Sequence, residues 1–86
     1  MKFEFSKHAL AQMKLRNISK EKVESMLRNP GQIITQGKNK IYQSIITENP
    51  DEKYLIRAFV NENKTPPLII TVYRTTKINK YYEGEI

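Results

Sequence analysis

The chain carries a single histidine, His8, and no cysteine. Acid–base chemistry therefore falls to His8, tyrosine and lysine, and charge stabilisation falls to arginine. His8 lies in the stretch FSKHALAQMKLRNIS, residues 5–19, with Arg16 eight positions further on. A neutral imidazole there can serve as a general base. Arg16 follows two helical turns along, rotated by roughly 80° on 3.6-residue geometry. The bland alternatives are a histidine that packs the helix start and a helix-end cation steadied by the dipole. Arg57 stands in the middle of the apolar run YLIRAFV, where a cation is out of place unless something uses it. Its bland alternative is an ion pair across a sheet. The tail RTTKINKYY sets Arg74, Lys77 and Lys80 beside Tyr81 and Tyr82. Cations interleaved with rings suit a nucleotide, phosphates on the cations and bases on the rings.

Other chemistries find little support. Three glycines, scattered at positions 31, 37 and 84, make no phosphate loop. One histidine without cysteine cannot build the usual zinc cage, and the lone aspartate, Asp51, argues against a carboxylate-rich magnesium site. No metal and no cofactor is expected. Fifteen Lys and Arg against nine Asp and Glu give a formal charge of +6, which favours polyanionic partners such as nucleic acid, or an acidic protein. No apolar run approaches the ~20 residues of a membrane span, and MKFEFSKH has no apolar signal core. The absence of cysteine fits a reducing compartment, so the cytoplasm is the expected location, with no membrane partner.

Two kinds of element must position these residues. KFEF alternates as a short strand, and Ser6 offers an N-cap to a helix over residues 7–16, where Ala9, Leu10 and Met13 recur at helical spacing. RN interrupts it. Ser19 caps a second helix carrying Val23, Met26 and Leu27, and NPG at 29–31 ends it. The period then falls to two. QIITQ, KIYQSII, YLIRAFV and LIITVYR read as strands, with a tight hairpin at GKN and polar turns at ENPDEK and NENKTPP. Short connections predict antiparallel neighbours. The fold class is α+β: two N-terminal helices packed on one face of a small antiparallel sheet, in one domain spanning 1–86. Tyr54, Ile56, Ala58 and Val60 should face the helices, with Leu68, Ile70 and Val72 beside them. Arg57 and Tyr73 should then share the opposite face, with Leu55, Phe59, Ile69 and Thr71, and only the C-terminal tail is left to cover it. A chain this short buries only roughly 60–65% of its unfolded surface, which leaves self-association open.

A helical pair, FSKHALAQMKLRNISKEKVESMLRNP, followed by strands ending in LIITVYRTTKINKYY, resembles the RelE/ParE-type toxin superfamily. The likeness is to BrnT and to a branch of small domains with an H-A-x-x-x-M/L-x-x-R-x-I-S opening and an N-P stop. His8, Ala9, Met13, Arg16, Ile18, Ser19 and Pro30 fit that opening. The resemblance implies the toxin of a two-gene toxin–antitoxin pair, held by a cognate antitoxin protein. It implies a metal-independent endoribonuclease acting on mRNA, in many members on the ribosome. By that resemblance Arg57 matches the sheet arginine of such enzymes, Tyr81 or Tyr82 with Lys77 and Lys80 matches their C-terminal basic and aromatic element, and His8 and Arg16 belong to the motif of the closer branch. The expected catalytic set is Arg57, His8, Arg16 and Tyr81, with His8 or a tyrosine as base and Lys77, Lys80 or Tyr81 as acid. Tyr73, Arg74, Lys77, Lys80 and Tyr82 are expected to bind RNA. Relatives of the same fold inhibit gyrase instead, and a basic nucleic-acid-binding module without chemistry is a third reading.

Overall fold

The computed structural model describes residues 2–84, so the ends of the expected 1–86 domain lie outside the described residues. Its elements are β1 (Glu4–Phe5), α1 (Lys7–Leu15), α2 (Lys20–Arg28), β2 (Gln32–Gln36), β3 (Asn39–Asn49), β4 (Glu52–Asn61), β5 (Leu68–Thr75) and a four-residue α3 (Ile78–Tyr81). The class is α+β, with a five-stranded mixed sheet of order β1-β5-β4-β3-β2.

The helix ends form where local chemistry puts them. Ser6 Oγ accepts from the Ala9 amide at 2.9 Å, and Ser19 Oγ accepts from the Lys22 amide at 3.1 Å. Each satisfies a donor that the first helical turn leaves free. Asn17, with φ 55°, turns the chain out of α1, and the Ile18 amide reaches back to the Met13 carbonyl at 2.8 Å. That closing bond drops Ile18 into the core beside Met13. Leu10, expected on the apolar stripe, is 44% exposed, and the face is carried by Ala9 and Met13.

Between the helices and the sheet lies one hydrophobic core, which takes Val23, Met26 and Leu27 from α2 and Tyr54, Ile56, Ala58 and Val60 from β4. The sheet departs from expectation in two ways. First, β1 pairs with β5 in parallel, Glu4 opposite Leu68 and Phe5 opposite Ile69, whereas the other pairings are antiparallel. The intervening chain supplies the long crossover that a parallel pair requires. Second, a register shift falls between Phe59 and Val60, which pair with Thr71 and Ile69. The extra residue, Ile70, shifts the alternation, so Val72 enters the core as expected and Ile69 enters it in place of Leu68 and Ile70. The Ile70 carbonyl accepts from Ser6 Oγ at 2.8 Å, so one hydroxyl serves both the bulge and the α1 cap. The second sheet face is covered in part: Ile41 and Leu55 are fully buried there, outside the helix-side cluster.

Candidate functional site

Strand register lines up four polar side chains across the second face. Gln32 on β2 is opposite Gln43 on β3, Gln43 is opposite Arg57 on β4, and Arg57 is opposite Tyr73 on β5. Residues directly across a ladder point to the same side, so the row forms a continuous strip. Arg57 Nε donates to Gln43 Oε1 at 2.8 Å, and Arg57 Nη1 donates to the Tyr73 hydroxyl at 2.6 Å. Gln43 Nε2 donates in turn to Gln32 Oε1 at 2.8 Å. A guanidinium can only donate, so it fixes which end of the Gln43 amide faces it and, through that amide, the Gln32 orientation.

The tail lies over this strip. The Tyr81 ring sits 4.3 Å from the Arg57 guanidinium carbon, with the Tyr73 and Phe59 rings at 5.7 and 5.5 Å. Gln43 Nε2 also donates to the Tyr81 carbonyl at 3.1 Å. Gln32 holds both backbone groups of Glu83: its amide donates to the Glu83 carbonyl, and its Oε1 accepts from the Glu83 amide. Tyr82 rests against Gly31, where an added Cβ would meet its hydroxyl at 3.0 Å. Arg57 is therefore 7% exposed. No carboxylate pairs with it among the described residues. Among the described residues its hydrogen bonds go through Nε and Nη1, to Gln43 and Tyr73. A cation held, among the described residues, by neutral dipoles and ring faces is suited to an added anion.

The sequence-predicted residues do not all meet there. Arg57, Tyr73 and Tyr81 come together, with Lys80 5.3 Å from the Tyr81 ring and Lys77 at the N-cap of the short α3. His8 and Arg16 do not join them. Both are exposed on α1, whose buried residues Ala9 and Met13 pack into the core on the other side of the sheet. Arg16 Nε is engaged by Gln12 on its own helix at 3.2 Å. The reason is layer order: a helix covering one face cannot present its outer residues to the opposite face. Arg74 alternates away from Tyr73 and lies 5.2 Å from the Tyr54 ring on the helix side. Gln43 and Gln32 were missed by the sequence reading. The available signal was Gln43 in the apolar run KIYQSII, as anomalous there as Arg57 is in its own strand.

A second tyrosine–cation cluster lies on the helix side. Lys22 Nζ contacts Glu48 at 2.8 Å and Tyr54 Oη at 3.1 Å, and Tyr54 donates to Glu48 at 2.6 Å. Hydrogen bonding to Glu48, then to Tyr54, raises the Lys22 pKa, and the same Lys22 bond lowers that of Glu48. A hollow of about 770 Å³ beside it is lined by Glu48, Asp51, Glu52, Tyr54 and Arg74. Its carboxylates suit it poorly to a polyanion. At the other end of the sheet Tyr42 donates to Glu62, which also pairs with Lys40 at 3.2 Å. Burial, and then the Glu62 bond, pushes the Tyr42 phenol up to about 12.

No helix among the described residues is long and apolar enough to cross a membrane, and no group of three acidic, histidine or cysteine side chains is placed to hold a metal ion. No curated protein and no solved structure matches the chain. The model of a domain of unknown function, DUF4258, matches residues 5–74, from the end of β1 through Arg74 in β5, and the chain belongs to that family.

Proposed function

We propose that this protein is the toxin of a two-gene toxin–antitoxin pair, with a RelE-like fold, cleaving RNA without a metal on the sheet face that carries Arg57. The observation that carries the reading is Arg57 itself: a mid-sheet guanidinium, ringed by tyrosines and without a carboxylate partner among the described residues. The +6 charge favours a polyanionic partner, and Lys77 and Lys80 add cations along the tail beside Arg57.

In the proposed reaction the 2′-hydroxyl gives up its proton to water as its oxygen attacks the adjacent phosphorus. The P–O5′ bond breaks, the departing oxygen takes up a proton, and a 2′,3′-cyclic phosphate and a 5′-hydroxyl result. Arg57 stabilises the charge gathered on the phosphorane oxygens. Tyr73 accepts a hydrogen bond from Arg57 and keeps its own proton, which it can give to the departing 5′ oxygen. The cytoplasm and a cognate antitoxin are part of the same proposal.

The test is induced expression followed by mapping of RNA ends, with Arg57→Ala as control. New ends bearing 2′,3′-cyclic phosphate, formed in EDTA and absent from the variant, are the expected result. Growth arrest without new ends would overturn RNA cleavage and favour a protein target such as gyrase. Normal growth at high soluble levels would remove the toxin reading altogether.

A further inference from the structure

The tail over Arg57 is attached in an unusual manner. Among the described residues it adds no strand to the sheet, and it is held by the side chains of Gln32 and Gln43 and by a ring on a guanidinium. The contacts separate into two types. Tyr81 offers Arg57 a flat aromatic face, and Glu83 offers Gln32 a donor beside an acceptor. A flat ring with a donor next to an acceptor on its edge is the description of a nucleobase. Glutamine is well suited to reading such an edge through two parallel hydrogen bonds, as it does with adenine. The Arg57–Gln43–Gln32 relay presents that amide in one orientation, so the reading group is set before a ligand arrives.

The part of the chain that supplies this cover lies outside the region shared with the family. The match ends at residue 74, and Tyr81 and Glu83 follow it, whereas Gln32, Gln43 and Arg57 lie within it. The cover and the site beneath are thus separable in sequence.

We infer that residues 81–83 occupy the seat of an unpaired base of single-stranded RNA, which stacks on Arg57 and is read by Gln32 and Gln43 once the tail lifts. This rests on the RNA reading above. It gives Tyr81 the role of an internal competitor, not that of a proton donor, and it makes the two glutamines base-reading residues. A site whose own chain fills it for part of the time binds more weakly in proportion to the open fraction.

The experiment uses the full chain and a short 2′-O-methyl single-stranded oligonucleotide, which lacks the nucleophile and so reports binding alone. Affinity is read by fluorescence anisotropy, and the Gln32 and Gln43 side-chain amides are followed by NMR. Both amide signals should shift on titration. Tyr81→Ala, and Glu83→Pro, which deletes the amide that Gln32 accepts, should each tighten binding several-fold. Adding Gln32→Ala to the Tyr81→Ala chain should then weaken it. Unshifted amides, or weaker binding by Tyr81→Ala, would overturn the inference. So would displacement of the tail by the peptide KYYEG but not by the oligonucleotide, which would assign the seat to a protein partner. The same proteins are tested on unmodified RNA. Cleavage without amide shifts leaves the endoribonuclease standing and removes the base seat. Amide shifts without cleavage keep the seat and remove the endoribonuclease.

Discussion

Two clusters of tyrosine and cation occupy opposite faces of one sheet, and they are resolved in opposite ways. On the helix side, Lys22 meets a carboxylate, Glu48, and Tyr54 closes the triangle. Charge meets charge near water, as in an ordinary solvated ion pair. On the other side Arg57 is more deeply buried and finds only an amide, a phenol and ring faces among the described residues. Burying a cation is costly, and among the described residues no carboxylate offsets that cost for Arg57. The contrast teaches where to look for function: at the cation left open to an incoming anion.

The largest effect should come from Arg57→Ala, which is expected to lower RNA cleavage by about 10²–10³-fold, the scale of a lost charge-stabilising donor. Arg57→Lys should rescue only part of it, because an ammonium lacks the planar fork. Lys22→Ala should leave cleavage intact. Equal losses at both cations, with unchanged melting temperatures, would break the comparison.

Next comes packing. Ile56→Ala opens a cavity beneath the helices and should cost about 2–5 kcal/mol in urea denaturation. Leu55 is as buried but lies on the second face, outside the helix-side core, so Leu55→Ala should cost less. Equal costs would show the second face to be packed as firmly as the helix side.

Titration gives a smaller, graded effect. The Tyr42 pKa is raised in the folded state, from the ordinary 10.0 to about 12, so its contribution is complete below pH 10 and is lost as pH rises toward 12. Tyr42→Phe should flatten that alkaline fall in melting temperature. Glu62 is held below its ordinary 4.5 by the Tyr42 hydrogen bond, with a lesser part from Lys40. Its contribution is present above that value and is lost as pH falls below it. The smallest effect is expected from His8→Ala. The residue is exposed on the wrong layer, and both cleavage and melting temperature should stay at the wild-type level. A hundredfold loss of cleavage in a stably folded His8→Ala chain would put the site back on α1.

Much of the fold was legible because it is written locally. Ser6 and Ser19 mark helix starts through bonds within a turn, Pro30 marks a stop by lacking a donor, and alternation in YLIRAFV assigned Arg57 its face correctly. What escaped depends on partners distant in sequence. The bulge at Ile70 is settled against Phe59 and Val60, and the parallel seat of β1 is settled against β5. Half of the expected catalytic set failed to assemble for a related reason. His8 and Arg16 are close in sequence to a motif, but a sheet stands between them and Arg57. Gln32 and Gln43 became visible only once register placed them in a row with it.

The union of β1 with β5 also sets an order of events during synthesis. Glu4 and Leu68 are partners, as are Ser6 and the Ile70 carbonyl, so the first strand leaves the ribosome with nothing to join. At about 5–20 residues per second it waits roughly 3–13 s for its mate. The consecutive hairpins β2–β3–β4 can assemble in that interval, because each strand finds its neighbour just made. The N-terminus is then the last piece of the sheet to lock. Until it does, the β5 edge is exposed, which makes the nascent chain most vulnerable to mispairing in the interval just after β5 is made.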